Sequence, residues 1–116
     1  MALIVVWERP FRMWHFSVSF NSLLLRSLSD DVSPARVDVL LSNVFFLRMP
    51  TTFSRFEIRT GDGFDLPRVE IPAGTGGEWF TINAGEGYVY ATHCEWHEDE
   101  GNAMTPSRFG PLKRTD

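Results

Sequence analysis

The chain has 116 residues, 43% of them hydrophobic, and carries a formal net charge of −4. This length suits one domain, so we expect 1–116 to be a single domain with a frayed tail at 113–116. The acidic balance and the scattered arginines argue against nucleic acid as a partner. The single cysteine, Cys94, excludes an internal disulfide and favours a reducing compartment, so we expect a cytoplasmic protein. No apolar run approaches the ~20 residues of a membrane helix, so no membrane partner is expected.

The N-terminal half is dominated by apolar runs of strand-forming residues. Residues 3–7 are apolar, and Pro10 ends the run, which predicts a first strand. The run 13–25 alternates apolar and polar side chains with period two, so it predicts one half-buried strand with a solvated outer face. Its apolar positions are Trp14, Phe16, Val18 and Phe20, and its polar positions are His15, Ser17, Ser19 and Asn21.

The run 36–47 is open to two interpretations. A serine–proline pair at 33–34, followed by apolar residues at helical spacing, is typical of a helix start and gives a short helix near 34–45. The run is also rich in β-branched and aromatic residues, which favour a strand. We predict the strand, with a kink or bulge near 42–43, and keep the helix as the alternative.

The second half alternates short strand patterns with glycine-rich turns. Strands are predicted at 56–59, 68–71, 79–82 and 88–96, and turns at 61–63, 73–77 and 84–87. With the earlier runs this makes about seven to eight strands, spaced as in sandwiches and barrels. The sequence therefore predicts an all-β domain, built as a single antiparallel β-sandwich or an open barrel.

The segment 93–100 collects most of the residues capable of chemistry, with two histidines, the only cysteine and four carboxylates. Metals prefer such ligands, so a site formed by His93, His97 and Glu98 is one hypothesis. On a strand, however, His93 and Cys94 point to opposite faces. The chain also has no second cysteine and no His-Glu-x-x-His motif, so we expect no metal or other cofactor.

No other motif supports catalysis, and we favour a protein that is not an enzyme. His15 lies near serines, but without the Gly-x-Ser-x-Gly turn of a nucleophile. The glycine-rich turns lack the spacing of a phosphate-binding loop. Cys94 has acidic neighbours, which disfavour the thiolate, so we expect an inert thiol on one face with Tyr88, Tyr90 and Trp96.

Four motifs stand out within residues 12–60: Trp-x-Phe-Ser-Val-Ser at 14–19, Leu-Leu-Leu-Arg-Ser at 23–27, Arg-Val-Asp-Val-Leu at 36–40, and the apolar run at 44–51 that contains Met49-Pro50. On these motifs, residues 12–60 resemble small bacterial all-β proteins and the immunity proteins that guard bacteria against their own polymorphic toxins. The resemblance implies an inhibitor that binds a toxin, and it supplies no catalytic residue.

The favoured function is therefore a protein-interaction module, of the immunity type, that binds a basic protein partner through an acidic face. The expected partner-binding residues are Glu95, Trp96, Glu98, Asp99 and Glu100. The alternative is a small β-barrel that binds a ligand or a metal, with or without enzymatic activity. Its site would lie near His93, His97 and Glu98. A homodimer through the first or last strand is a third hypothesis, because unprotected sheet edges invite pairing.

Overall fold

The computed structural model describes residues 2–19, 21–28, 35–61 and 66–99, and these residues form strands and no helix. The strands are β1 (Ala2–Trp7), β2 (Phe11–Ser17), β3 (Ser22–Ser27), β4 (Arg36–Ser42), β5 (Phe46–Arg48), β6 (Thr52–Phe53), β7 (Phe56–Thr60), β8 (Glu78–Ile82), β9 (Gly87–Ala91) and β10 (His93–Asp99). They pair antiparallel in two sheets, sheet A in the order β1-β7-β8-β9-β5 and sheet B in the order β10-β4-β3-β2-β6. The predicted all-β sandwich is confirmed, and the sheets do not close into a barrel.

Some predictions fall outside the described residues. These are the frayed tail at 113–116, the serine–proline pair at 33–34, the turn at 61–63 beyond its first residue, Phe20 and Glu100. The single domain over 1–116 stays a prediction for the same reason.

The run 13–25 forms two strands, so the prediction of one strand was wrong. β2 and β3 pair with each other, and residues 18, 19 and 21 between them are in turn conformation, with Asn21 at a left-handed φ of 51°. Val18, predicted to face the core, lies in this turn with 77% of its surface exposed. A register shift in β2 between Met13 and His15 also breaks the alternation, and Trp14 lies against Arg26, away from the core.

The run 36–47 confirms the predicted strand, and no helix forms in its described residues. The predicted break near 42–43 is also confirmed: Asn43 has a φ of 54°, and the chain leaves sheet B after β4 to enter sheet A as β5. Asparagine tolerates this left-handed conformation better than other residues with a side chain, which explains where the strand ends.

Two predictions in the second half need correction. Residues 68–71 lie in an irregular segment that pairs with neither sheet, so they form no strand. Residues 88–96 form the end of β9 and the start of β10, which lie in different sheets and meet at Thr92. Tyr88 and Tyr90 therefore do not share a face with Cys94.

Two bent ribbons of paired strands carry the chain from one sheet to the other. In the first, β1 and β7 continue into β2 and β6, and Arg55 bonds Glu8 at 2.9 Å where the ribbon bends. In the second, β4 and β10 continue into β5 and β9, and the amide of Asn43 donates to the Thr92 hydroxyl at 3.0 Å. Both sheets are thus joined by continuous backbone at two corners.

The core lies between the sheets and is most aromatic near the first corner. Phe56 is fully buried there, stacked on Phe11 at 4.8 Å and edge-on to Phe53 at 5.6 Å between ring centroids. Trp7 closes this cluster from β1. The core residues are Phe11, Leu23, Leu25, Val37, Val39, Leu41, Val44, Phe53, Phe56, Ile58, Phe80, Ile82, Val89 and Ala91.

Candidate functional site

Strand β10 contains most of the residues that the sequence singles out, and it forms one edge of sheet B. All seven of its residues pair with β4 in an unbroken register from His93 opposite Ser42 to Asp99 opposite Arg36. Its side chains alternate between the two faces of the sheet. His93, Glu95, His97 and Asp99 therefore lie on the outer face, and Cys94, Trp96 and Glu98 on the face toward sheet A.

Trp96 and Glu98 are held at the surface by a residue of the opposite sheet. Trp96 keeps 43% of its surface exposed, and its ring meets that of Trp7 edge-on at a centroid distance of 6.0 Å. The indole N–H of Trp7 donates to the Glu98 carboxylate at 3.3 Å. The contact fixes an exposed tryptophan ring beside an exposed carboxylate, and tryptophan is among the residues enriched at the energetic centres of protein interfaces.

Asp99 has a structural partner. The Arg36 side chain, 1% exposed, donates to both carboxylate oxygens, at 2.9 Å from Nε and 2.7 Å from Nη2. The hydrogen bond to Asp99 raises the pKa of Arg36 above its ordinary value. This bidentate pair ties β10 to β4, so Asp99 is less available to a partner than Glu95, which is exposed.

The outer face of β10 does not assemble the metal site of the alternative hypothesis. His97 lies four positions after His93, so the two residues are about 14 Å apart along the strand. Glu98 lies on the opposite face. Among the described residues, no group of three or more His, Cys, Asp or Glu side chains is placed to hold an ion.

Cys94 packs against the core from β10. Its burial, and next the charges of Glu95 and Glu78, raise the pKa of its thiol to about 12. The thiol is therefore protonated at physiological pH, which is the condition of an unreactive cysteine.

A second surface, which the sequence did not reveal, lies at the corner where β4 becomes β5. The rings of Phe46 and Tyr90 flank that of Trp79 at centroid distances of 5.7 and 5.4 Å, and Phe45 beside them is 48% exposed. The adjoining cavity has a volume of about 430 Å³ and no charged residue in its described lining. It is lined by Met13, Phe16, Asn21, Val44, Phe45, Phe46 and Leu47.

A further cleft of about 350 Å³ lies at the other corner of the sandwich, beside Arg12. Its wall includes Arg26, whose guanidinium donates to Asp38 at 2.7 Å. Because Asp38 already neutralises Arg26, the cleft is a weaker candidate for an anion site than two unneutralised arginines would make it.

The fold and these surfaces define the class of the protein: a two-sheet antiparallel β-sandwich with an acidic and aromatic edge strand. No family model, curated protein or solved structure matches the chain. No helix long and apolar enough to span a membrane occurs among the described residues.

Proposed function

We propose that the protein is a non-enzymatic interaction module that binds a basic protein partner at β10, in the manner of an immunity-type inhibitor. The observation that carries the proposal is the exposed part of the β10 edge formed by Glu95, Trp96 and Glu98, called here the β10 surface. The Trp96 ring is 43% exposed and meets Trp7 edge-on, Glu98 shares its face of the strand, and Glu95 lies on the outer face.

The chemistry of this surface favours a basic protein over other partners. Exposed carboxylates attract cationic surfaces and accelerate their encounter, and a fixed aromatic ring supplies the apolar contact that makes an interface stable. The net charge of −4 acts in the same direction over longer distances. Asp99, which the sequence placed in the same group, contributes less because Arg36 already holds it.

Charge reversal on the β10 surface should abolish partner binding. We expect the Glu95→Lys/Glu98→Lys double variant to lose a basic partner that the wild-type protein retains from its own cell lysate at moderate salt. The physical reason is repulsion between the new lysines and a cationic partner. The measurement is affinity capture, followed by titration of the purified partner with each variant.

The control is Glu70→Lys/Glu86→Lys, which changes the net charge by the same amount at two exposed positions away from β10. It should keep the partner, and high salt should release the partner from the wild type. Equal loss in both double variants, or equal retention, contradicts the assignment of the β10 surface. Urea unfolding of each variant separates lost binding from lost structure.

The cavity beside Phe45 supports a second candidate function, the binding of a small apolar ligand. Its volume of about 430 Å³ lies within the usual range for ligand sites, and its described lining is apolar except for Asn21. In the ligand-binding alternative, this cavity takes the place of the site proposed at His93, His97 and Glu98.

An apolar fluorescent probe, N-phenyl-1-naphthylamine, should bind in this cavity. Phe45→Ala should weaken its binding by about tenfold, because the ring supplies roughly 1.5 kcal/mol of apolar contact. Val18→Ala removes another exposed apolar side chain that does not line the cavity, and it should leave the probe affinity unchanged. No fluorescence increase with the wild type, or equal affinities for both variants, would count against the ligand site.

A further inference from the structure

The four sheet edges of the described residues differ in their capacity to accept another strand. Edge strands β5 and β6 have three and two residues, and short edges offer few backbone groups for pairing. Edge strand β1 has a register shift between Leu3 and Val5, which disturbs the regular spacing of those groups. Only β10 among these edges combines seven residues with an unbroken register.

The composition of β10 also leaves its outward edge open to pairing. The strand contains no proline or glycine that would interrupt its edge, and its charged residues are carboxylates, which repel an acidic strand but attract a basic one. His93, Glu95, Trp96 and Glu98 are exposed, which shows that solvent reaches both faces of the strand. Among the described residues no other strand pairs with this edge of β10, so an added segment can pair with it.

We infer that the basic partner binds by adding an extended segment to the β10 edge, as an eleventh strand in which basic and apolar residues alternate. This inference rests on the proposed function and specifies how the partner is recognised. Backbone hydrogen bonds to β10 supply affinity, and side chains at alternate positions supply specificity.

The alternation of β10 determines the pattern expected in the partner. Side chains of the added strand that share the outer face meet Glu95, which favours lysine or arginine there. Those on the opposite face meet the exposed ring of Trp96, which favours an apolar or β-branched residue. Glu98 on this face adds negative charge that attracts the basic segment at longer range.

The same charges select against a second copy of this chain at β10. Two β10 strands placed side by side would bring two sets of Glu95 and Glu98 together, and like charges across a sheet are destabilising. A carboxylate on the face toward the core, such as Glu98, is also a common device against self-association of edge strands.

The test uses a synthetic peptide, acetyl-Thr-Lys-Val-Lys-Ile-Lys-Val-Thr-amide, titrated into the ¹⁵N-labelled full chain while amide chemical shifts are recorded. Two further peptides carry N-methyl groups on alternate residues, one in each of the two possible phases. In an added strand every second N–H points at β10, so one N-methylated peptide should bind like the parent. The other should bind at least about tenfold more weakly than the parent, because it loses several backbone hydrogen bonds.

The outcomes separate the binding mode from the proposed function. Equal binding of both N-methylated peptides, with shifts centred on β10, overturns strand addition and leaves a side-chain interaction at the same surface. Absence of binding by the parent peptide also overturns it, while the charge-reversal experiment on the natural partner still decides the function. Strand addition to β10 is supported if only one of the two N-methylated peptides loses affinity and if Glu95→Lys binds the parent peptide more weakly than Glu70→Lys does.

Discussion

Replacing Asp38 by alanine should lower the free energy of unfolding by about 3–5 kcal/mol. Asp38 accepts hydrogen bonds from Nε and Nη2 of Arg26 at 2.7 and 3.1 Å, and the two side chains are 2% and 3% exposed. Without the carboxylate, the buried guanidinium loses a bidentate partner that offsets the cost of removing its charge from water. Urea unfolding monitored by tryptophan fluorescence measures the change.

Two comparisons give this prediction its meaning. Arg26→Met/Asp38→Leu removes both charges, so it should recover most of the lost stability, to within about 2 kcal/mol of the wild type. Glu8→Ala breaks an ion pair to Arg55 whose side chains are 72% and 41% exposed, and it should leave stability close to that of the wild type. An Asp38→Ala protein as stable as Glu8→Ala would show that burial of the pair has no energetic consequence.

Phe56→Ala should cost about 3–5 kcal/mol of stability, the usual range for deleting a buried phenylalanine ring. Phe56 is fully buried, and its ring contacts Phe11 at 4.8 Å, Phe53 at 5.6 Å and Trp7 at 6.2 Å between centroids. These neighbours come from both sheets, so the cavity cannot be closed by moving one side chain. The free energy of unfolding in urea, with the melting temperature as a second readout, tests this.

Phe45→Ala is the matched control, because it deletes the same atoms where 48% of the residue is exposed. It should destabilise the protein by less than half as much as Phe56→Ala, since much less apolar surface leaves a buried environment. Similar losses at the two positions would mean that the aromatic cluster at the first corner does not hold the sheets together.

The sequence predicted the fold class well because apolar periodicity is a local property, but it missed where strands end. Asn21, Asn43 and Asn83 all adopt φ between 51° and 54°, and each lies at or beside the end of a strand. The break near Asn43 was predicted, whereas Asn21 was taken as part of a strand because the residues before it alternate. Asparagine stabilises left-handed backbone, so this residue type was the available signal at 18–21.

Other differences between the sequence predictions and the structure had no signal in the local sequence. The passage of the chain from sheet A to sheet B at Thr92 leaves the strand pattern of 88–96 intact, so the sequence shows one run where the fold has two strands. The displacement of Trp14 toward Arg26 depends on the register of β2 against β3. Register is decided by pairing between distant residues, and periodicity alone does not contain it.

The candidate site was predictable in composition and not in arrangement. The acidic and aromatic character of 93–99 follows directly from the sequence. The pairing of β10 with β4, the contact of Trp96 with Trp7, and the ion pair of Asp99 with Arg36 all join residues more than 50 positions apart. The local alternation of β10 places His97 and Glu98 on opposite faces, which separates the ligands of the hypothetical metal site.

The two bent ribbons also constrain the order in which the molecule can fold. Hairpins β2–β3 and β8–β9 close over short turns and can form early, because little chain entropy is lost. Strand β1 cannot pair until the distant strand β7 is in place, and Arg36 in β4 cannot bind Asp99 until β10 is in place. Such non-local closures are slow, so we expect folding in milliseconds to seconds. Until β10 arrives, one side of β4 is an apolar edge open to pairing with other chains.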